Sequence, residues 1–410
     1  MSCFNQNHAD EQEQDKRRDA ENAERRGEFL FGIRSPNGVL SVTGSPLRIS
    51  AAFASPRFSP GIATAFLRFS SPRHFIINFT LAVSLLLAGQ TLRAQPFNLP
   101  TANRAIFDAD GGGEKFFVPT VGKPWTSGCF GCVRTEGWQM HEGLDIRCQQ
   151  RDKRGEPTDP VNATADGTVA YINRKSALSN YGNYIILRHT IDGLEVYSTY
   201  AHLREVRENL KPGVPIKSGE QIGVLGRTAN TRQGISKDRA HVHFELNLFV
   251  NERFPAWYKK TFPDRRNDHG QWNGQNFLGI DPRAVLLEQH EQGAGFNLVK
   301  LLQSQPELCR VTVRDTNFPW LTRYAPLVKS NPRATAEGIA GYELALNFNG
   351  IPIELIPRAA SELKGKSRFQ LLSVNEAEQK KNPCGKIVTK RKGQWELATR
   401  GENLLELLTY

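Results

Sequence analysis

The run from His241 through Val242, His243, Phe244 and Glu245 to Val250 constrains this chain more than any other stretch. It is rich in Val, Phe and Leu, a composition that favours a strand. Side chains two apart on a strand share a face. His241 and His243 are therefore expected to look into one cavity, with Glu245 on the same side as a supporting group or a structural charge partner. Upstream stands a second motif, His141-Glu142-Gly143-Leu144-Asp145, and between the two lies Tyr197-Ser198-Thr199-Tyr200-Ala201-His202-Leu203. Gly143 weakens a helix and suits a strand or bend that turns His141 and Asp145 toward one ion. The helical zinc motif with histidines at i and i+4 has its second histidine replaced here by Asp145. Imidazoles, a carboxylate and spare histidines are the ingredients of a catalytic zinc site, which needs three ligands, one open position and nearby acid–base groups.

The order of these motifs resembles the lysostaphin-type zinc endopeptidases, the LytM-like or gamma-lytic family. Its signature is His-x-x-x-Asp, then Tyr-x-x-Tyr-x-His-Leu, then His-x-His-Phe-Glu. The frame agrees further at Asp159-Pro160-Val161-x-Ala163, Asp166-Gly167-Thr168-Val169, Tyr181-Gly182-Asn183 and the Lys217–Gly226 segment, so that the likeness covers residues 115–285. The resemblance implies that His141, Asp145 and His243 hold one zinc ion per chain and that His202 and His241 are the catalytic pair. It implies hydrolysis of peptide bonds in peptidoglycan stem or cross-bridge peptides. A rival reading is a non-catalytic wall-binding regulator that activates another cell-wall hydrolase; such relatives are expected to have lost ligands, and here all three are present. The sequence departs from the family pattern in a long charged segment, Arg227 to Ala240, and an aromatic-rich one, Asn251 to Gly279. Both are expected to border the groove.

Other histidines and polar residues carry plainer expectations. His189 ends an apolar strand and reads as structural. His269 lies in a turn-like Asn-Asp-His-Gly loop and reads as structural, with contact to substrate as the alternative. Asn183 and Tyr200 either line the cleft or pack within strands.

The catalytic segment reads as mainly β: a β-sandwich or open barrel-like sheet with a groove. Strands are expected at Gly167–Ile172, Asn183–Thr190, Leu194–Leu203, Gln221–Gly226 and His241–Val250. A short helix opens at Asp281-Pro282 and runs through Leu287. From about Gln292 the character changes to a small α+β domain. Phe296–Gln303 has helical periodicity, Asn349-Gly350 is a two-residue hairpin signal between Tyr342–Phe348 and Ile351–Arg358, Gln394–Thr399 is a strand, and Glu402–Leu408 is an amphipathic helix. The expected organisation is a disordered or non-native extension over 1–66, a signal peptide-like segment over 67–94, the zinc endopeptidase domain over 95–290 and the α+β domain over 291–410.

The signal reading rests on Arg68 and Arg73 before the apolar run Phe75–Gly89, with Ala94 as a small residue at the cleavage point. Its position, well inside the chain, suggests that the residues before it are not part of the natural protein; the alternative is a cytoplasmic tail on an anchored protein. Export to the periplasm or beyond is expected, with membrane contact only through this segment. The net charge is +11, and residues 1–94 carry 11 Lys+Arg against 8 Asp+Glu, so most of the excess lies in the folded part. A basic surface suits an anionic cell wall; no nucleic-acid motif accompanies it, and no nucleic-acid partner is expected. Of six cysteines, Cys309 and Cys384 stand alone in the C-terminal region and are expected to pair. Cys129, Cys132 and Cys148 bracket His141 and are expected to form one local disulfide with a thiol left over; a structural zinc site built on Cys129-x-x-Cys132 is the competing reading.

Overall fold

The computed structural model describes residues 96–232 and 234–410. The expectations for residues 1–66 and 67–94, the extension and the signal-like segment, lie outside the described residues. Among the described residues no helix is long and apolar enough to cross a membrane.

Twelve short strands build the first part: β1 (Gly131–Arg134), β2 (Gln139–His141), β3 (Leu144–Arg147), β4 (Pro160–Asn162), β5 (Gly167–Asn173), β6 (Tyr184–Ile191), β7 (Leu194–Ala201), β8 (Glu205–Val206), β9 (Pro215–Ile216), β10 (Gln221–Val224), β11 (His241–Phe249) and β12 (Phe277–Ile280). The main sheet is seven-stranded and antiparallel, in the order β12-β11-β7-β6-β5-β9, with β3 also on β11. β3 and β12 divide one edge of β11 between them. β3 takes His241–Phe244 and β12 takes Leu246–Phe249, while β7 runs along the other edge. A three-stranded sheet, β4-β10-β8, and the β1–β2 hairpin complete this part.

β11 is buried along its whole length, and its two faces do different work. Val242, Phe244, Leu246 and Leu248 point into the large hydrophobic core. His241, His243, Glu245 and Asn247 alternate with them on the opposite face and are also buried. The mainly β expectation therefore holds, and the expected strands form at their expected places with ends moved by one or two residues.

Three features were not expected. Helix α1 (Phe254–Thr261) lies inside the aromatic-rich segment, with Pro255 at its start. The rest of that segment folds back over the sheet: Trp272 packs against Tyr171, Tyr197 and Phe249, and His269 against Tyr171 and Tyr184. Helix α2 (Pro282–Gln292) runs five residues past its expected end at Leu287 and is capped at its start by Asp281, whose side chain accepts from Arg283 N–H.

The C-terminal part is α+β. Its sheet has the order β15-β14-β13-β16, from β13 (Cys309–Val313), β14 (Gly341–Leu346), β15 (Pro352–Arg358) and β16 (Phe369–Val374); a hairpin of β17 (Val388–Arg391) and β18 (Gln394–Leu397) follows. The β14–β15 hairpin turns at Asn349-Gly350, where Gly350 has φ +89°. Helices α3 (Leu298–Gln303) and α4 (Thr399–Leu408) coincide with the two expected helices, the second starting three residues early.

Residues 95–410 form one compact unit, and one apolar core runs through both parts. Polar ties reinforce it: Phe249 N–H donates to Tyr324 Oη (2.7 Å), Asn251 Nδ2 donates to Leu407 O, and Asn349 Nδ2 donates to Gly279 O. A disulfide joins Cys132 of β1 to Cys384, with Cα atoms 5.4 Å apart. This corrects the expected Cys309–Cys384 bridge and the expected local one. Cys309 is a buried free thiol on β13, and Cys129 and Cys148 are also free. Among the described residues, no metal-holding cluster includes a cysteine.

Candidate metal centre

Three side chains from three strands meet at one point. His243 sits directly opposite Asp145 in the β11–β3 register, and His141 ends β2. His141 Nε2 lies 3.1 Å from Asp145 Oδ1 and 3.2 Å from His243 Nδ1, and His243 Nδ1 lies 2.9 Å from the same oxygen. Gly143 permits this approach, because a Cβ there would stand 2.3 Å from Phe244 O. Among the described residues this is the one cluster of His, Cys, Asp or Glu that fits a metal. All three residues are buried.

The hydrogen-bond pattern fixes what the cluster presents. His141 Nδ1–H donates to Cys129 O (2.6 Å), leaving the Nε2 lone pair inward. His243 Nε2 is 2.9 Å from Glu245 Oε1, so it is the donor there, and Nδ1 is the atom left to face inward toward a cation or a competing proton. Glu245 is held in turn by Tyr181 Oη–H and by Asn247 Nδ2. Two ring nitrogens and a carboxylate oxygen thus converge. Ligand atoms about 2.0–2.2 Å from a tetrahedral zinc stand roughly 3.3–3.5 Å apart, and the observed spacing is slightly tighter. The residues present fit a zinc ion.

Two further histidines face the same point. His241 Nδ1–H donates to Arg239 O (2.6 Å), and its Nε2 lies 3.4 Å from Asp145 Oδ1. His202 Nδ1–H donates to Thr228 O (2.9 Å), and its ring centroid is 4.8 Å from that of His241 and 6.0 Å from that of His243. His202 adopts φ +61°, an uncommon backbone for a non-glycine residue that here sits at a candidate functional site. Tyr181 O accepts from its N–H, and its own carbonyl accepts from Thr228 N–H. Gly226 lies under this turn; a Cβ on it would stand 2.1 Å from Arg204 N.

Electrostatics follow from burial and from this packing. Burial opposes the Asp145 charge, but the nearby His141 and His241 and hydrogen bonds from His141 and His243 outweigh it and hold the carboxyl well below its usual range. Burial alone would push His243 down, yet hydrogen bonds to Asp145 and Glu245 carry it up to about 10. Burial and the neighbouring His241 and His243 keep His202 well below its usual value. Burial also lowers His241, against the pull of Asp145. A proton therefore competes for the place a cation would take at His243, while His202 and His241 stay neutral.

All five sequence-derived residues, His141, Asp145, His202, His241 and His243, are brought together. The other expectations fare differently. Tyr200 is fully buried in the core, its hydroxyl accepting from Thr164 N–H, and does not line the cleft. Asn183 braces the loop: its Nδ2 donates to Leu203 O and its N–H to Thr228 Oγ1. His269 is buried beneath the covering segment, 3.0 Å from Tyr171 Oη, and is not open to substrate. His189 is structural, between Asp166 O and Ser198 Oγ.

Sequence reasoning missed Arg134, whose Nη2 lies 2.6 Å from Asp145 Oδ2. It missed the backbone carbonyls of Cys129, Thr228 and Arg239 that orient three imidazoles; carbonyls have no side-chain signature to read. It also missed Tyr181 as the partner of Glu245, although Tyr181 stood in the quoted frame.

Residues 139–254, which include all five of these residues, match the model of peptidase family M23. The chain is 32% identical over 108 residues to the cell division protein DipM of Caulobacter vibrioides, covering 26% of this chain and 14% of that one. It is 30% identical over 111 residues to the DD-carboxypeptidase/endopeptidase Mpg of Neisseria meningitidis, covering 27% and 21%. It is 37% identical over 111 residues to the murein hydrolase activator NlpD of Escherichia coli, covering 26% and 22%. The chain thus spans about a fifth or less of the length of these relatives.

Proposed function

We propose that this chain, whose residues 139–254 form an M23 domain of the lysostaphin type, is an exported zinc endopeptidase that hydrolyses peptide bonds in peptidoglycan. The observation that carries the reading is the convergence of His141 Nε2, Asp145 Oδ1 and His243 Nδ1, faced by two neutral histidines.

His141, Asp145 and His243 would hold the ion. Zinc, when bound, supplies a Lewis acid and lowers the pKa of water at its open position to about 7. The chain's own groups do the rest. His202 and His241 are each anchored through Nδ1, so each turns Nε2 toward the reacting carbonyl. With Nδ1–H donated to a backbone carbonyl and the ring neutral, each Nε2 is an acceptor: one takes the proton of the attacking water and, as the imidazolium, returns it to the leaving amine, while the other accepts the water's second hydrogen and orients it. Glu245 keeps His243 in the ligating tautomer, as partners of metal-bound histidines do.

A second reading has one observation in its favour. Beside Tyr181, Trp272 packs on Tyr171 and His269 on Tyr184, so that face of the sheet is covered. A covered face suits a regulator that binds wall peptides and activates another hydrolase, the role named for NlpD.

One experiment separates the two. Zinc-loaded protein is incubated with purified peptidoglycan and the soluble fragments are weighed by mass spectrometry. Endopeptidase action releases peptides that gain one water per cut, and His202→Ala does not. No fragments from the wild type, together with stimulation of a separate wall hydrolase, would overturn the enzymatic reading in favour of the regulator.

A further inference from the structure

The hairpin that carries His141 has little of its own to hold it. β1 and β2 pair with each other and stand outside the main sheet. Of their residues only Gly131 and His141 are buried. The turn between them places Thr135, Glu136 and Gly137 in succession in the left-handed region, two of them not glycine. An isolated two-stranded hairpin is marginal in water, and a segment with so little burial opens at low cost.

The metal centre nevertheless leans on this hairpin. In its register Gly131 faces His141 and Cys132 faces Met140. Just before β1, Cys129 O accepts from His141 Nδ1–H (2.6 Å). At the end of β1, Arg134 Nη2 lies 2.6 Å from Asp145 Oδ2. Residues 129–134 thus orient two of the three candidate ligands, and Cys132 stands between the two contacts.

Cys132 is bonded to Cys384, and the far end of that bridge is firm. Cys384 is buried in the turn Pro383–Gly385. Arg400 of α4 donates to Gly385 O (2.6 Å) and to Asn349 Oδ1 (3.3 Å). Gly385 lies so close to Phe348 O that no Cβ would fit there. Phe130 meets Phe348 edge to face with ring centroids 6.3 Å apart, and Met140 Sδ lies 3.7 Å from Cys384 Sγ. The bridge is the covalent part of a brace that runs from α4 and the β14–β15 turn to the two ligands.

We propose that the Cys132–Cys384 bridge is a redox-controlled brace for the metal centre: formed, it holds residues 129–134 where they orient His141 and Asp145; reduced, it leaves a centre that binds its ion weakly. The inference rests on the zinc-site reading and adds regulation to it. Cys132 and Cys384 are then positioning residues that act through the ligands. The bridge forms by thiol–disulfide exchange. One S–S bond forms here and one S–S bond of a disulfide oxidant breaks, and the two cysteine hydrogens pass to the oxidant's sulfurs. Cys132 is half-buried where Cys384 is buried, so exchange meets Cys132 Sγ first. A reducing compartment keeps the centre loose and an oxidising one sets it.

The test measures zinc affinity of the full-length protein against a chelating dye, before and after reduction by a water-soluble phosphine. The phosphine becomes its oxide with oxygen from water, whose hydrogens go to the two thiols. Hydrogen exchange of the metal-free protein is followed alongside by mass spectrometry. Reduction is expected to weaken zinc binding about 10-fold or more, the scale of losing a group that orients a ligand. Exchange across residues 129–141 should rise while that of β6 and β7 stays slow, and reoxidation should restore both. The Cys132→Ser/Cys384→Ser variant should match the reduced wild type and ignore the phosphine. Leu298→Ala, a buried truncation on α3, serves as a destabilised control and should keep wild-type zinc affinity. Equal zinc affinity in the oxidised and reduced folded protein overturns the proposal and leaves the zinc-site reading standing. So does a Leu298→Ala protein that loses as much affinity as the reduced wild type, because general loosening would then suffice. No zinc binding by the oxidised wild type overturns the zinc-site reading, and the brace with it.

Discussion

Asp145 divides its carboxylate between two duties: Oδ1 faces His141 and His243, while Oδ2 is held 2.6 Å from Arg134 Nη2. Arg134 is itself fixed by Thr120 Oγ1. The guanidinium therefore sets the rotation of the ligand without entering the ligand set. Removing a group that orients a ligand typically costs about 10–100-fold in metal affinity. Arg134→Gln is expected to weaken zinc binding on that scale in a competition with a chelating dye, and Arg134→Lys to recover part of it. Unchanged affinity in Arg134→Gln would show that β3 alone orients Asp145.

The same geometry separates ligands from helpers. His141→Ala and His243→Ala each remove an inward ring nitrogen and are expected to cut zinc content sharply. His202→Ala and His241→Ala leave the three converging atoms in place. They are expected to retain the metal and lose roughly 100-fold or more in activity, the usual scale for acid–base groups. Elemental analysis beside a muropeptide assay reads both. Zinc lost from His241→Ala but kept by His243→Ala would reverse the roles, a real alternative because His241 Nε2 is itself 3.4 Å from Asp145 Oδ1.

The Cys132–Cys384 bridge joins the hairpin that carries His141 to the C-terminal part. Met140, next to His141, also packs on Cys384, with sulfurs 3.7 Å apart. A bridge across so long a loop is expected to stabilise by about 2–5 kcal/mol, and Cys384→Ser should lower the unfolding free energy accordingly. Burial, the main cause, raises the thiols of Cys129, Cys148 and Cys309 to about 12. At pH 8 all three are protonated and should resist iodoacetamide in the native protein, reacting only after unfolding. Peptide mapping without reductant reads the bridge and the thiols together. A Cys309–Cys384 peptide would contradict the fold described above.

Much of this arrangement was legible beforehand, for identifiable reasons. Period-two patterning from His241 to Val250 gave β11 and the shared face of its histidines, and Asn349-Gly350 gave the β14–β15 turn. These are local signals that tertiary contacts did not override. Cysteine pairing was not legible. Sequence spacing favoured Cys309 and Cys384 as neighbours in one region, but Cys309 lies on β13 in the core, and β1 brings Cys132 to Cys384 from far away in sequence. Arg134 was invisible for the same reason: its role exists only because the hairpin folds onto β3. The turn-like loop around His269 left a structural role and contact with substrate both open; the covering segment buries the ring against Tyr171.

His189 gives the fold a pH dependence of its own, away from the metal centre. Its ring is 1% exposed, with Nδ1 2.9 Å from Asp166 O and Nε2 2.7 Å from Ser198 Oγ. Burial, partly offset by the Asp166 contact, lowers its pKa from 6.5 to about 4. The folded pKa lies below the unfolded one, so between these values the unfolded chain binds more protons. Stability from this group is complete above pH 6.5 and is lost as the pH falls toward 4. The full loss is on the order of 3 kcal/mol. Urea unfolding of zinc-loaded protein between pH 4 and 7 should show this slope, on top of what the metal site adds. His189→Gln keeps a donor and an acceptor but cannot titrate. It should lower stability at pH 7 and flatten the slope relative to wild type, so that the two curves converge near pH 4. Parallel curves across the whole range would mean that His189 is protonated or solvated in the native state, and that the packing of Gly167 against its ring does not exclude water.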